Sequence, residues 1–205
     1  MKTNETVSKF FEKYKRDCEK FNRGPIHIPK PDPENGVPGE NIILMFINER
    51  PGRVGPGQTD LISYDKNPDP TAARFKRLFE TLEINRKKIF ITNACIYYPR
   101  EENYTDRAPT TEEIIFSAGI LKDQIERVNP KIIIPLGNTA LRTLKIIYPD
   151  LRHRKLKTDV AKLISVSRLI FPLYHTSNRA NTTRSEESQK KDWVRLKNEL
   201  LQVTL

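Results

Sequence analysis

The chain has 205 residues, 37% of them hydrophobic and 30% charged, a balance typical of a folded domain rather than of a disordered segment. Its longest apolar runs are too short to span a bilayer and no secretory signal precedes them. We therefore expect a protein without a membrane partner, in the cytosol, or in the nucleus if the source is a eukaryote.

The net charge of the chain indicates what kind of partner it binds. A formal charge of +10 indicates a polyanionic partner, with nucleic acid as the first candidate. The alternative is a merely soluble basic protein.

Apolar side chains at helical spacing from Val7 to Phe21, Cys18 among them, predict an amphipathic helix packed on the body of the protein. Closely spaced prolines from Pro25 to Pro38 exclude regular structure there and indicate an extended strap.

Four apolar runs of strand length alternate with helical patterns in the remaining chain. The runs cover residues 41–47, 88–92, 131–136 and 168–174. Asp69 with Pro70, and Thr110 with Glu113, have the patterns that begin helices. The alternation predicts an α/β fold, a single three-layer α/β/α domain with a central four-stranded parallel sheet. We expect one domain over residues 1–205, with the helix and strap at 1–40 and the α/β core at 41–205.

Polar segments follow three of the predicted strands at the point where each strand ends. They are Asn48–Gly52 (NERPG), Thr92–Ala94 (TNA) and Tyr174–Arg179 (YHTSNR). Because the carboxyl ends of parallel strands line one crevice, we expect these segments to converge on one site.

In their order and position these segments resemble the uracil-DNA glycosylase superfamily, over residues 41 to about 200. Asn48–Gly52 is similar to the Gly-Glu-Ala-Pro-Gly motif of the thermostable iron–sulfur branch, and residues 130–140 resemble the strand-to-helix run of that branch. Pro51 and Gly52 with the following Gly55, Gln58 and Thr59 resemble the single-strand-selective monofunctional branch instead. That branch also has an arginine four places after the first histidine of its final motif, as in His175 and Arg179.

The resemblance implies a monofunctional DNA repair glycosylase. Such an enzyme flips uracil, or a related deaminated or damaged base, out of DNA and hydrolyses its bond to deoxyribose, which leaves an abasic site. Asn93 then reads the base, because its amide can pair with the N3–H and O4 edge of uracil. His175 donates to uracil O2 as negative charge develops there. From the residues alone, Asn93 can equally cap its loop and His175 can be structural.

The first motif departs from the family pattern at Arg50. Other branches have a water-orienting Asp or Asn there, and a guanidinium has no acceptor and cannot be a general base. Either Glu49 positions the water, or Arg50 contacts a phosphate and the rate is low. We take Glu49 as the hydrolytic carboxylate, although it can instead cap backbone amides or pair with Arg50. Asn48 and Arg50 are expected to contact the substrate.

The remaining candidates are predicted to contact the base or the DNA strand. Tyr64 lies about where the family has the aromatic platform for the flipped base, and a tyrosine packed on the surface is the alternative. Arg179 resembles the wedge that fills the gap left by the flipped nucleotide. We expect DNA contacts beside it from Thr176, Ser177 and Gly52. The alternative is that these are ordinary loop residues exposed to solvent.

The sequence indicates neither a metal nor an organic cofactor. Two cysteines cannot supply the four thiolates of an iron–sulfur cluster, and His27 and His153 have no metal-ligand spacing. We expect a monomer that acts on DNA. One alternative is a catalytically weak or inactive DNA- or base-binding module of the same fold. Another is a small nucleotide-binding protein, although its glycines fit neither GxGxxG nor a Walker loop. The basic run at 152–157 is either a solvated face or part of a phosphate-binding surface.

Overall fold

A computed structural model of the protein describes residues 2–99 and 107–203, and the side chains of residues 12–98 and 107–202. Val7, at the start of the apolar stripe predicted for the first helix, lies outside the described side chains. Two short 3-10 helices occur at Arg86–Lys88 and Pro149–Leu151. The other elements are, in chain order, α1 (Lys2–Asn22), β1 (Ile26–His27), β2 (Lys30–Pro31), β3 (Leu44–Asn48), α2 (Pro56–Thr59), β4 (Leu61–Ile62), α3 (Pro70–Glu80), β5 (Ile89–Asn93), β6 (Tyr98–Pro99), α4 (Thr111–Val128), β7 (Ile132–Pro135), α5 (Asn138–Ile147), α6 (Leu156–Asp159), β8 (Ile164–Ser165), β9 (Leu169–Ile170), α7 (Asn178–Asn181) and α8 (Glu186–Val203).

The central sheet has the strand order β5-β3-β7-β9-β8. The first four of these strands pair in parallel, and β8 pairs antiparallel with β9 at the edge. The α/β prediction is confirmed, but the sheet has one strand more than the four predicted. The extra strand, Ile164–Ser165, is only two residues long. It folds back through a tight turn in which the Val166 N–H donates to the Arg168 carbonyl. A strand of two residues has too short a pattern to be recognised in the sequence.

Helices cover both faces of the sheet because successive strand residues point to opposite sides. Leu44 and Phe46 of β3 pack with side chains of α3 and α8 on one face. Met45 and Ile47 pack with side chains of α4 and α5 on the other. Trp193 of α8 is fully buried and stacks on Phe46 with ring centroids 5.4 Å apart. The two apolar layers hold the sheet between helices and leave its carboxyl edge to the loops.

The starts of α3 and α4 are fixed by side-chain caps, as predicted. Asp69 accepts hydrogen bonds from the N–H groups of Thr71 and Ala72 at the start of α3. Thr110 and Glu113 form a complete capping box at the start of α4. Both helices therefore begin at defined residues, which sets where their side chains meet the sheet.

The N-terminal region packs on the body of the protein through a further apolar cluster. Tyr14 and Cys18 of α1 are buried in a cluster that also contains Cys95 and Ile120. The expectation that the prolines exclude regular structure is wrong over four residues, since β1 pairs with β6 and β2 pairs with β4. Pairs of two residues place few demands on backbone donors, so proline is tolerated even within them, as Pro31 is in β2. The division into residues 1–40 and 41–205 stays a prediction. Across the described part of the chain, no helix is both long and apolar enough to cross a membrane.

Candidate active site

A cavity of about 320 Å³ opens at the carboxyl ends of β3 and β5. All three polar segments predicted from the sequence contribute to its wall, so the expected convergence is present in the structure. The lining residues from these segments are Asn48, Arg50, Gly52, Asn93, His175 and Thr176. The cavity is also lined by Tyr64, Asn67, Asp69 and Phe75.

Strand pairing places the first two segments side by side. Asn48 and Asn93 are register partners at the last position of their parallel strands. The pairing continues past the strand ends, because the N–H of Ala94 donates to the Asn48 carbonyl and that of Cys95 donates to the Glu49 carbonyl, at 2.7 and 3.0 Å. The two loops therefore leave the sheet at fixed positions, and two amide side chains border the same cavity.

Asn93 has the environment of a ligand-reading side chain. It is 3% exposed, and its Nδ2 has no hydrogen-bond partner among the described residues. A buried amide donor without a partner costs about 1–3 kcal/mol, so such groups are usually satisfied. An acceptor on a ligand in the cavity would complete the hydrogen bonding of Asn93.

His175 is held in one tautomer. The Ser177 N–H donates to His175 Nδ1 at 3.1 Å, so a neutral His175 carries its proton on Nε2. Burial lowers the pKa of His175, and the charges of Glu49 and Asp69 partly oppose that effect. Gly137 allows this placement, since it adopts φ +91° and a Cβ there would lie 3.3 Å from the Cβ of His175. The ring is thus a neutral donor at neutral pH.

Glu49 lies beside His175 rather than in the cavity wall. Thr139, in the first turn of α5, donates to Glu49 Oε2 at 2.5 Å. Glu49 is not among the described residues that line the cavity, although its charge acts on His175. The carboxylate is therefore fixed near His175 by the helix that follows β7.

Arg50 is turned inward. Its side chain is 5% exposed, and Nη2 donates to Glu113 Oε1 at 3.0 Å and to the Tyr97 carbonyl at 3.4 Å. Glu113 also binds Arg107 at 2.7 Å. The guanidinium is buried against the start of α4 while the residue borders the cavity.

Tyr64 forms a rigid part of the wall. It is buried, and its ring lies 5.2 Å from that of Phe75 and 5.3 Å from that of Phe79. The Arg86 guanidinium lies 4.8 Å from the same ring. Neighbouring Ser63, the residue next to it in the loop, donates to the buried carboxylate of Asp32. The loop thus presents a tyrosine fixed by packing to the cavity.

One residue of the segment after His175 lines the cavity, and others lie at the surface. Thr176 is fully buried and donates to the Thr71 carbonyl at 3.1 Å. Ser177 and Arg179 are not among the described residues that line the cavity, and Arg179 is exposed in the short helix α7. Gly52 lines the cavity and its carbonyl accepts from the Gly57 N–H.

Arg74 and Asp69 are among the residues at the site that sequence reasoning did not single out for it. Arg74 of α3 is buried and donates to the carbonyls of Thr176 and Ser177, at 3.2 and 2.9 Å, and thereby anchors the loop of His175. A charged residue on an otherwise apolar helix stripe was the available signal. Asp69 was identified only as a cap. A Cβ at Gly55, where φ is +82°, would lie 2.3 Å from Oδ2 of Asp69. Gly55 therefore permits the close approach of its own loop to the start of α3.

The residues present do not fit an iron–sulfur cluster. Cys18 and Cys95 are the two cysteines of this chain, both are buried free thiols, and burial raises the pKa of each. Within residues 2–99 and 107–203, no group of three or more His, Cys, Asp or Glu side chains is arranged to hold a metal ion.

Comparison with known proteins gives a consistent set of relatives. The model of the uracil DNA glycosylase superfamily matches residues 37–199. The chain is 28% identical over 153 residues to a type-4 uracil-DNA glycosylase of Sulfurisphaera tokodaii. The aligned region covers 69% of this chain but only 64% of the relative. The type-4 enzyme of Archaeoglobus fulgidus is 25% identical over 179 residues, 83% of each protein. That of Thermotoga maritima is 30% identical over 121 residues, 57% of this chain and 56% of the relative.

Proposed function

Because the chain belongs to the uracil-DNA glycosylase superfamily, we propose that it is a DNA repair glycosylase that removes uracil, or a related deaminated or damaged base, by hydrolysis. The observation that carries the proposal is the cavity in which the unpartnered amide of Asn93 and the neutral His175 meet. We further propose that the protein acts as a monofunctional monomer and a single domain, in the cytosol or nucleus.

Asn93 and His175 divide the recognition of a flipped uracil between them. The Asn93 amide donates to O4 through Nδ2 and accepts the N3–H through its oxygen, which satisfies the buried donor. His175 donates from Nε2 to O2. This hydrogen bond strengthens as the glycosidic bond breaks, because negative charge then moves onto the base.

Glu49 supplies the carboxylate for hydrolysis in this proposal. Thr139 holds Oε2, so the orientation of the side chain is fixed before substrate binds. A carboxylate at this position orients the water and stabilises positive charge on the sugar.

Arg179 and its neighbours are proposed to contact the DNA strand. Arg179 is exposed on α7, four residues after His175, and Arg74 fixes the backbone between them. In this proposal the guanidinium fills the gap left by a flipped nucleotide, and Ser177 contacts a phosphate.

A second function, a catalytically weak or inactive DNA- or base-binding module, is favoured by two observations. Arg50 stands where a water-orienting residue is expected, and Glu49 is not among the described residues that line the cavity. The two functions predict the same binding and different chemistry.

One assay separates these functions. The protein is incubated with labelled oligonucleotides that contain uracil, uracil opposite guanine, thymine opposite guanine or hypoxanthine, and abasic sites are then cleaved with alkali. Cleavage at uracil is expected. Tight, salt-sensitive binding without cleavage of any substrate would favour the binding module instead.

Glu49→Gln tests the hydrolytic carboxylate. We expect unchanged DNA binding and single-turnover excision reduced on the order of 100-fold, because the amide cannot accept a proton or carry charge. Glu126→Gln, at an exposed position of α4, removes the same charge away from the cavity and controls for electrostatic effects on binding. An unchanged excision rate in Glu49→Gln would exclude this role.

A further inference from the structure

Asp69 is the only acidic residue among the described residues that line the cavity. Glu49, the proposed hydrolytic carboxylate, is not part of that lining and is held by Thr139. In the proposed reaction the cavity receives a flipped nucleotide, whose base and sugar enter it together. The carboxylate that borders the space for this nucleotide is therefore that of Asp69.

The two oxygens of Asp69 have different surroundings. Oδ1 accepts hydrogen bonds from the N–H groups of Thr71 and Ala72, both at 3.0 Å, which fixes the side chain at the start of α3. Oδ2 accepts no hydrogen bond from the described residues, and none of them forms an ion pair with Asp69. Oδ2 lies against Gly55, where the Cβ of any other residue would come within 2.3 Å of it. Glycine therefore keeps a side chain away from this oxygen, and the negative charge of Asp69 stays available to a ligand.

Helix α3 holds Asp69 at a fixed position relative to His175. Thr176, the residue after His175, donates from Oγ1 to the Thr71 carbonyl in the first turn of α3 at 3.1 Å. Arg74, further along the helix, donates to the Thr176 carbonyl at 3.2 Å. Burial lowers the pKa of His175, and the charge of Asp69 is one of two that oppose this effect. Asp69 and His175 therefore border one cavity from two elements that are tied together.

We propose that Asp69 is a catalytic residue that stabilises the positive charge developing on the deoxyribose, an inference that rests on the proposed glycosylase function and deepens it. When the bond between C1′ and the base nitrogen breaks, both bonding electrons leave with the base and the sugar becomes an oxocarbenium-like cation. A water oxygen then bonds to C1′ and gives up one proton, which balances the negative charge of the departed base. His175 and Asp69 thus act on opposite charges of one transition state.

This assignment divides the reaction between two carboxylates. Glu49 orients the water, and Asp69 attracts the sugar as its positive charge grows. A fixed carboxylate in a half-buried position attracts a developing cation more strongly than one in solvent does. Because two backbone donors already hold Oδ1, the side chain of Asp69 does not have to reorganise when the charge appears.

The competing explanation is that Asp69 only caps α3. Asparagine is about as good an N-cap as aspartate, because its side-chain oxygen also accepts hydrogen bonds from the first-turn N–H groups. Asp69→Asn therefore keeps the cap and removes the charge. If capping is the only role of Asp69, this variant should excise uracil at the wild-type rate.

The test combines an excision assay with two DNA probes that need no turnover. In Asp69→Asn we expect single-turnover excision of uracil, with protein in excess, to fall on the order of 10-fold. The probes are oligonucleotides in which one deoxyribose is replaced by a positively charged, protonated pyrrolidine or by an uncharged tetrahydrofuran. Wild-type protein should bind the pyrrolidine probe more tightly, and the ratio of the two affinities should fall on the order of 10-fold in the variant. A merely structural change would weaken both probes to the same degree.

Two further variants complete the test. Asp150→Asn removes the same charge at an exposed position after α5, away from the described residues that line the cavity, and should keep both the rate and the affinity ratio. Asp69→Ser retains a capping oxygen on a shorter, uncharged side chain. It provides the measurement if Asp69→Asn does not fold, and the same losses are expected.

The outcomes distinguish this inference from the function on which it rests. Wild-type protein that excises no base overturns the glycosylase function and the inference with it. If the wild-type protein is active, an unchanged excision rate or an unchanged affinity ratio in Asp69→Asn overturns the inference alone. A lower rate together with a lower ratio, in a variant that unfolds at the wild-type temperature, supports it.

Discussion

The hydrogen bond that His175 accepts determines which proton it can offer. A protonated imidazole has donors on both nitrogens, and Nδ1–H would face the N–H of Ser177. The loop geometry therefore favours the neutral ring, as burial does. In the proposed reaction, a neutral donor of this kind would stabilise an anionic leaving base without a large change in its own charge.

We predict that His175 titrates below the ordinary histidine pKa of about 6.5. Its folded-state pKa is lowered by burial, so the unfolded chain binds the proton more readily. The contribution of this group to stability is present above about pH 6.5 and is lost as the pH falls toward the lowered value. NMR of histidine-labelled protein, assigned with His175→Gln, should show a low pKa and a protonated Nε2 in the neutral form. A pKa at or above 6.5, or a proton on Nδ1, would contradict the prediction.

At the scale of elements, α3 connects the cavity to the loop of His175. Its first turn places Asp69 at the cavity, and Phe75 packs beneath Tyr64. Arg74, on the same helix, donates to three acceptors in residues 176–178. One helix thus positions two sides of the site at once, and its defined start at Asp69 fixes the register of both contacts.

Arg74→Met tests this connection. The substitution keeps the buried stem but leaves the Thr176 and Ser177 carbonyls without their donor, so we expect a loss of about 3 kcal/mol in the free energy of unfolding. Urea denaturation measures it. Arg77→Met, one turn along α3, is the matched control, because its side chain is 57% exposed and its ion pair with Glu186 is worth at most about 1 kcal/mol. Equal losses in the two variants would refute the anchoring role.

The elements that were predictable from sequence have local signals, and those that were not depend on distant partners. The caps at Asp69 and Thr110, and the strands that end at Asn48 and Asn93, each follow from a few neighbouring residues. The partner of Arg50, Glu113, is 63 positions away in the chain, and the loop acceptors of Arg74 are more than 100 positions away. Contacts between such distant residues leave no local pattern in a single sequence. The roles proposed for the site residues stay predictions.

At the scale of the whole molecule, the position of each basic group matters more than the net charge. The cavity and Arg179 lie toward the carboxyl edge of the sheet. Helix α5 begins at that edge after β7 and runs back for ten residues, about 15 Å, toward the other edge. The basic run at 152–157 follows the end of α5. Of the two alternatives from the sequence, this placement favours a solvated face for the run.

Salt dependence of DNA binding tests that division of the surface. Each phosphate contact contributes about 0.9 to the slope of log K against log salt concentration for duplex DNA. We expect Arg179→Ala to reduce the magnitude of the slope by about 0.9, because it loses one contact at the DNA-facing edge. Arg152→Ala with Lys157→Ala removes two charges on the opposite side and should leave the slope unchanged. Fluorescence anisotropy at several salt concentrations measures both. If the double variant lost about 1.8 while Arg179→Ala lost nothing, DNA would bind across the amino edge of the sheet, away from the cavity, and the proposed site could not act on it.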